Sequence, residues 1–169
     1  MKTLISREEI QKRIESLGKE LTEYYKDKDL TVVCLLNGAM IFASDIMRAI
    51  ELPLQYDTFA ASSYVNTSST GELKIRSNLK LPIENRHVLL IDDILDTGFT
   101  MKCIIEEFTR KGALSVKSCV LLNKKIKDKL FSAPDWVGFE IEDEFVVGYG
   151  LDYNEEYRNL PFIGVLDQE

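Results

Sequence analysis

Cysteine is scarce in this chain of 169 residues, and the three present, Cys34, Cys103 and Cys119, make an odd number with no C-x-x-C pair. Cys34 and Cys119 lie inside apolar runs and Cys103 in a helical pattern, so they read as buried free thiols in a reducing compartment. Histidine is scarcer still: the lone His87 precedes a strand, which leaves no partner for a cysteine nucleophile. No apolar run is long enough to span a bilayer, and the longest, such as Val32 to Leu36, are strand-sized. The opening residues contain no apolar stretch of signal-peptide length, so a cytoplasmic location is expected and no membrane partner. An excess of positive charge is also missing. The net charge of −7 argues against a large nucleic-acid footprint. An anionic substrate would then need local positive charge from a metal, a few Lys or Arg, or helix N-termini.

What is present is an alternation of strand and helix. Ser6 and Glu9 have capping-box spacing, and Ile10, Ile14, Leu17 and Leu21 follow at helical intervals, so a helix is expected from about Arg7 to Tyr25. Thr31 to Leu36 reads as a strand covered on both faces, and Asn37-Gly38 breaks it. Helical spacing returns from Ala39 to Ile50, then strand-like patterns at Leu54 to Ala61 and Leu73 to Leu79. Between these two strands, Asn66 to Gly71 is polar and turn-rich, and a mobile loop is expected. Val88 to Ile91 is a fully apolar strand, Thr100 to Lys111 a helix stopped by Gly112, and Val116 to Leu122 a further strand. Beyond the basic stretch Lys124 to Lys129 come short strand-like pieces at Trp136 to Ile141, Phe145 to Tyr149 and Phe162 to Leu166. This order predicts a single α/β domain with a mostly parallel sheet. No internal repeat, low-complexity tract or linker divides it.

The segment from Val88 to Thr100 carries the strongest functional signal. A buried strand ends in Asp92-Asp93, followed by Asp96-Thr97-Gly98-Phe99-Thr100 leading into a helix. Ligands in open α/β sheets bind beyond the carboxyl ends of strands. A turn of this kind offers backbone N–H groups and two hydroxyls at a helix N-terminus, which suits a phosphate monoester. Gly98 lets the backbone approach an anion without a Cβ in the way. Asp92 and Asp93 suit a diol, a metal ion, or both. As mere solvated turn residues, three carboxylates so close together would repel without benefit.

On these residues the chain resembles the type I phosphoribosyltransferases, whose phosphoribosyl-diphosphate (PRPP) motif has two hydrophobic stretches, two acids and D-T-G-x-T. The sequence has no G-K-[ST] ending of a P-loop, no H-E-x-x-H and no D-x-D-x-D calcium loop. Pro134 to Ile141, Phe145 to Tyr149 and Leu151 to Glu155 resemble the hypoxanthine/guanine (6-oxopurine) branch, as do Leu35 to Gly38, Ser63-Tyr64 and Ser69 to Glu72. The resemblance covers roughly residues 30 to 166. It implies a mostly parallel twisted sheet flanked by helices, with a small hood from the N-terminal residues and the segment after about residue 126, in one domain over 1–169.

The activity implied is transfer of the 5-phosphoribosyl group from PRPP to N9 of hypoxanthine or guanine, with Mg²⁺ as cofactor. By the same resemblance Asp96 is the general base facing N7, and Asp92, Asp93, Asp96, Thr97, Gly98, Phe99 and Thr100 bind the ribose and its phosphate. Asn37, Gly38 and Arg158 bind pyrophosphate, and Ser63 and Tyr64 belong to the mobile loop. Lys124 donates to the 6-oxo group, Trp136 stacks on the purine and the Val137 backbone meets its edge. Asp92, Asp93 and Asp143 serve the metal. A homodimer or homotetramer is expected, and no nucleic acid. Many relatives carry Lys at Asn37, Glu at Asp92, and Phe or Tyr at the stacking position.

Taken singly, several of these residues have plainer readings. Trp136 alone reads as core, Lys124 as one of several solvated lysines, and Arg158 as an ion-pair partner of Glu155 or Glu156. Asp143 sits in an acidic run, and 62–72 could be an ordinary hairpin loop. Two rivals to the activity are a regulatory RNA-binding protein on the same fold and an enzyme favouring xanthine or a pyrimidine.

Overall fold

The computed structural model describes residues 1–64, 72–131 and 133–166. Its main sheet has six strands in the order β4-β3-β2-β5-β6-β7: β2 (Leu30–Leu35), β3 (Gln55–Tyr64), β4 (Glu72–Ser77), β5 (His87–Leu95), β6 (Ser115–Lys124) and β7 (Trp136–Ile141). All neighbours pair in parallel except β3 with β4, which run antiparallel. Strand alternation explains how both faces are filled. Val32, Cys34, Leu89 and Ile91 pack on the face covered by α1 (Arg7–Tyr24) and α2 (Met40–Ala49). Val33, Leu35, Val88 and Leu90 pack on the other, against Met101, Ile104 and Phe108 of α3 (Phe99–Arg110).

The expected capping box is present: Ser6 Oγ accepts from Glu9 N, and Glu9 reaches back to Ser6 N at 2.8 Å. Burial pushes the thiol of Cys34 up to about 11 and that of Cys119 up to about 12, so neither is a thiolate near neutral pH. Cys103 is free and half-buried.

Two differences from the sequence expectation matter. β5 does not stop at Asp92-Asp93 but continues through Leu95, because Asp92, Ile94 and Leu95 keep pairing with Val120, Leu122 and Asn123. A second, three-stranded sheet joins the two ends of the chain: β1 (Lys2–Ile5), β9 (Ile163–Val165) and β8 (Val146–Val147). The chain after residue 126 thus divides between both sheets, since β7 joins the main one. The turn-rich stretch Asn66 to Gly71 falls outside the described residues. Among the described residues no helix is long and apolar enough to cross a membrane.

Candidate active site

β5 places its two carboxylates on opposite faces. Asp92 follows Val88 and Leu90 in alternation and faces the α3 side; Asp93 follows Leu89 and Ile91 and faces the other. Each lines a different cavity. On the α3 side, ≈ 340 Å³ is enclosed by Asp92, Asp96, Thr97, Gly98, Phe99 and Thr100, among others. On the other side, ≈ 310 Å³ is lined by residues that include Asp93, Asp96, Lys124, Phe145, Val146 and Asp152. Asp96 borders both.

The first cavity has the chemistry of an anion site. Gly98, the residue before α3, has φ 81° and no side chain to cap the helix, so the first amides of α3 stand at the cavity end. Phe99 N makes only a long 3.4 Å bond to Thr97 Oγ1. A Cβ on Gly98 would lie 2.5 Å from the Phe131 carbonyl, so glycine is required by both conformation and space. The segment after β6 holds this loop in place, with Leu130 N and Phe131 N donating to Thr97 O.

Burial pushes the Asp92 carboxyl well above the usual carboxylate range, and the charge of Asp93 pushes the same way. Asp93 is also raised by burial, while the Asp92 hydrogen bond, the Ile94 amide and the Arg158 charge pull it back. The Asn37–Gly38 loop is wedged against this pair. A Cβ at Gly38 would come 1.8 Å from Asp93 Oδ2, and one at Gly150 2.2 Å from Gly38 O. The Leu36–Asn37 peptide is cis. Arg158 reaches the same place from the C-terminal segment: it donates to Gly150 O at 2.8 Å and pairs with Asp152 at 3.0 Å and Glu155 at 3.2 Å. Asn37, Gly38, Asp93 and Arg158, distant in sequence, therefore converge.

The second cavity gathers only some of the residues expected to meet a base. Lys124, at the end of β6, lines it. Trp136 and Val137 do not. Trp136 begins β7 opposite Cys119, whereas Lys124 pairs with Ile141. Five residues of strand, about 16 Å, separate the two levels. The Trp136 indole packs instead on Tyr24 (5.1 Å between centroids) and Tyr25 (5.9 Å), and Val137 O accepts from Arg13. The plainer reading of Trp136, as core, describes its place.

The cavity is lined instead by Phe145, 44% exposed, with its ring set edge-on against Tyr153 at 5.7 Å, and by Val146. Asp143 is also absent from the lining of this cavity. Its carboxylate is bonded to Lys124 Nζ at 3.0 Å, and Asp152 lines the cavity in its stead. Each shift is nine positions: 136 to 145, 137 to 146, 143 to 152. Both stretches begin with an aromatic residue followed by Val and have an Asp seven residues after the aromatic, so the sequence pattern alone fits either register. Ser63 and Tyr64 end β3, their backbones paired with Leu73 and Glu72.

A strand-borne acidic pair, a helix start at Gly98 and a facing cavity with a lysine and an exposed aromatic thus lie together around the end of β5. The family model of the phosphoribosyl transferase domain matches residues 4–154. The chain is 47% identical over 166 residues to a hypoxanthine-guanine phosphoribosyltransferase of Bacillus subtilis, covering 98% of this chain and 92% of that one. It is 42% identical to a hypoxanthine-guanine-xanthine phosphoribosyltransferase of Tritrichomonas foetus, covering 99% and 92%. A crystal structure of a hypoxanthine phosphoribosyltransferase from Staphylococcus aureus superposes with a TM-score of 0.94 at 43% identity, over 99% of this chain and 91% of that one. The chain belongs to the phosphoribosyltransferase family and, within it, to the hypoxanthine-guanine phosphoribosyltransferases.

Proposed function

We propose that this chain transfers the 5-phosphoribosyl group of PRPP to N9 of hypoxanthine or guanine, releasing pyrophosphate. The observation that carries the reading is Asp96, which borders both the phosphate-loop cavity and the cavity holding Lys124 and Phe145. The 5′-phosphate suits the Thr97 to Thr100 amides and hydroxyls, and Asp92 the ribose hydroxyls. The diphosphate suits the Asn37–Gly38 backbone and Arg158. The base lies against Phe145, with the Val146 backbone at its edge and its 6-oxo group toward Lys124. As N9 bonds to C1′, the C1′–O bond to diphosphate breaks and the base proton passes to Asp96. The negative pair Asp92-Asp93 favours the cationic character that develops at C1′.

Mg²⁺ fits the donor set, since Asp93 and Asp152 offer hard oxygens to one cavity and Asp92 to the other. Among the described residues no three acidic, histidine or cysteine side chains form a ready metal site, so substrate oxygens and water would complete the shell. When bound, the cation would neutralise charge on the departing diphosphate. Assembly as a homodimer or homotetramer is part of the same proposal, and a monomer mass by light scattering would contradict it.

The test is kcat/KM with PRPP and Mg²⁺ for hypoxanthine, guanine, xanthine, adenine and uracil in turn. A preference for hypoxanthine over adenine of at least about 10²-fold is expected, because the Lys124 ammonium meets an acceptor in one and a donor in the other. Equal values contradict the 6-oxopurine reading. PRPP binding without turnover of any base would favour a regulatory protein.

The two aromatics separate in a paired experiment. Phe145→Ala is expected to raise the KM for the base about tenfold or more through lost stacking, with little change in Tm. Trp136→Ala is expected to cost about 3 kcal/mol of stability, roughly 6–12 °C in Tm, and to leave the base KM within a few-fold. The reverse pattern would return the stacking role to Trp136.

A further inference from the structure

We infer that Asp143 is a positioning residue for base recognition: its carboxylate holds the Lys124 ammonium at 3.0 Å and fixes the donors that a purine meets. This rests on the base-site reading given above.

The two residues differ sharply in surroundings. Lys124 has only 13% of its side chain exposed, whereas Asp143 has 67%. The ammonium is therefore drawn into the cavity wall while its partner stands at the rim. The neighbouring Lys125–Glu142 pair is exposed on both sides, 56% and 70%, and has no such consequence. Backbone register fixes where Asp143 stands. Lys124 pairs with Ile141 at the end of β7, Lys125 N donates to Ile141 O at 2.8 Å, and Glu144 N donates to Glu142 O at 2.8 Å, closing a tight turn around Asp143. Two residues further on, the same turn delivers Phe145 to the cavity.

A lysine ammonium on a flexible four-carbon stem has three donors and no acceptor. With one donor taken by Asp143, the remaining two have a defined direction into the cavity. A base offering an oxygen there is satisfied, and one offering an amino group leaves donors facing donors. Without Asp143 the ammonium is free to swing out to water, so the loss should fall on the base and not on PRPP. A metal ligand at this position would behave differently, because its loss would change the Mg²⁺ requirement.

The test uses the full-length protein and four variants: Asp143→Asn, Asp143→Glu, Lys124→Ala and the Lys124→Ala/Asp143→Asn double variant. Initial rates are measured against hypoxanthine, PRPP and Mg²⁺, with Tm recorded for each. Asp143→Asn is expected to raise the KM for hypoxanthine about tenfold, with the KM for PRPP and half-saturating Mg²⁺ within about twofold. Asp143→Glu should recover part of the loss. In the Lys124→Ala background, Asp143→Asn should add nothing, since its effect runs through the lysine. An unchanged base KM, a shift in Mg²⁺ requirement instead, or losses that simply multiply in the double variant would each overturn the positioning role. A wild-type protein that makes no nucleotide from hypoxanthine would overturn the reaction assignment itself, which an active wild type with an unaffected Asp143→Asn variant would leave standing.

Discussion

Replacing Asp96 with asparagine is expected to lower kcat by about 10²- to 10⁴-fold, the usual worth of a positioned general base, while the KM for PRPP moves only a few-fold. Asp96 is exposed just beyond the end of β5, borders both cavities, and its carboxylate accepts no hydrogen bond from the described residues. On the proposed reading this acceptor stands where base and ribose would meet, with the charge of Lys129 acting on it. The amide of asparagine keeps the volume of the side chain but cannot take a proton. The loop itself should survive, since Thr97 O, Gly98 and Phe131 hold it. Near-normal kcat in this variant would remove Asp96 from the proton-accepting role.

Asp92→Asn is expected to move activity and stability in opposite directions. In metal-free protein both carboxyls of the pair lie above their ordinary value because burial penalises the charge. The folded state then binds protons more tightly than the unfolded chain. Stability therefore falls as pH rises from the ordinary value of 3.8 through the raised one, and the cost is fully present above it. A neutral amide removes part of that cost and can still accept from Asp93 N, the bond that Asp92 Oδ1 now makes at 2.9 Å. In chelator at pH 7 the variant should melt roughly 2–4 °C higher, corresponding to about 1 kcal/mol at this chain length. The difference should shrink toward pH 4. Its kcat/KM should fall about 10²-fold, because a fixed negative charge near the developing cation is lost. PRPP with Mg²⁺ should raise the Tm of the wild type more than that of the variant. A variant that melts lower at pH 7 in chelator would contradict the burial argument.

The contrast between what was legible and what was not follows the range of the interactions. α1 was legible because its cap and apolar stripe are local, and β2 because both of its faces are apolar. The turn from Asp96 into α3 was legible because its requirements, a glycine at positive φ and a helix start, fall within a few residues. The length of β5 was not, since its last residues are strand only because β6 pairs with them. β1 escaped for the same reason: four residues at the start of the chain become a strand by pairing with Ile163 to Val165. The cavity of Lys124 and Phe145 was half legible. Lys124 follows directly from the end of β6, but Trp136 and Phe145 open similar short patterns nine positions apart. Only the register of β7 against β6 shows which aromatic shares a cavity with the lysine. The convergence of Gly38, Asp93 and Arg158 is likewise tertiary.

The most direct test of the account is the stoichiometry of the reaction with hypoxanthine. Purified protein, PRPP, hypoxanthine and Mg²⁺ should give the nucleoside 5′-monophosphate and pyrophosphate in equal amounts, with product formation stopped by chelator. Pyrophosphate or ribose 5-phosphate appearing without nucleotide, or no consumption of PRPP in the presence of any 6-oxopurine, would contradict it.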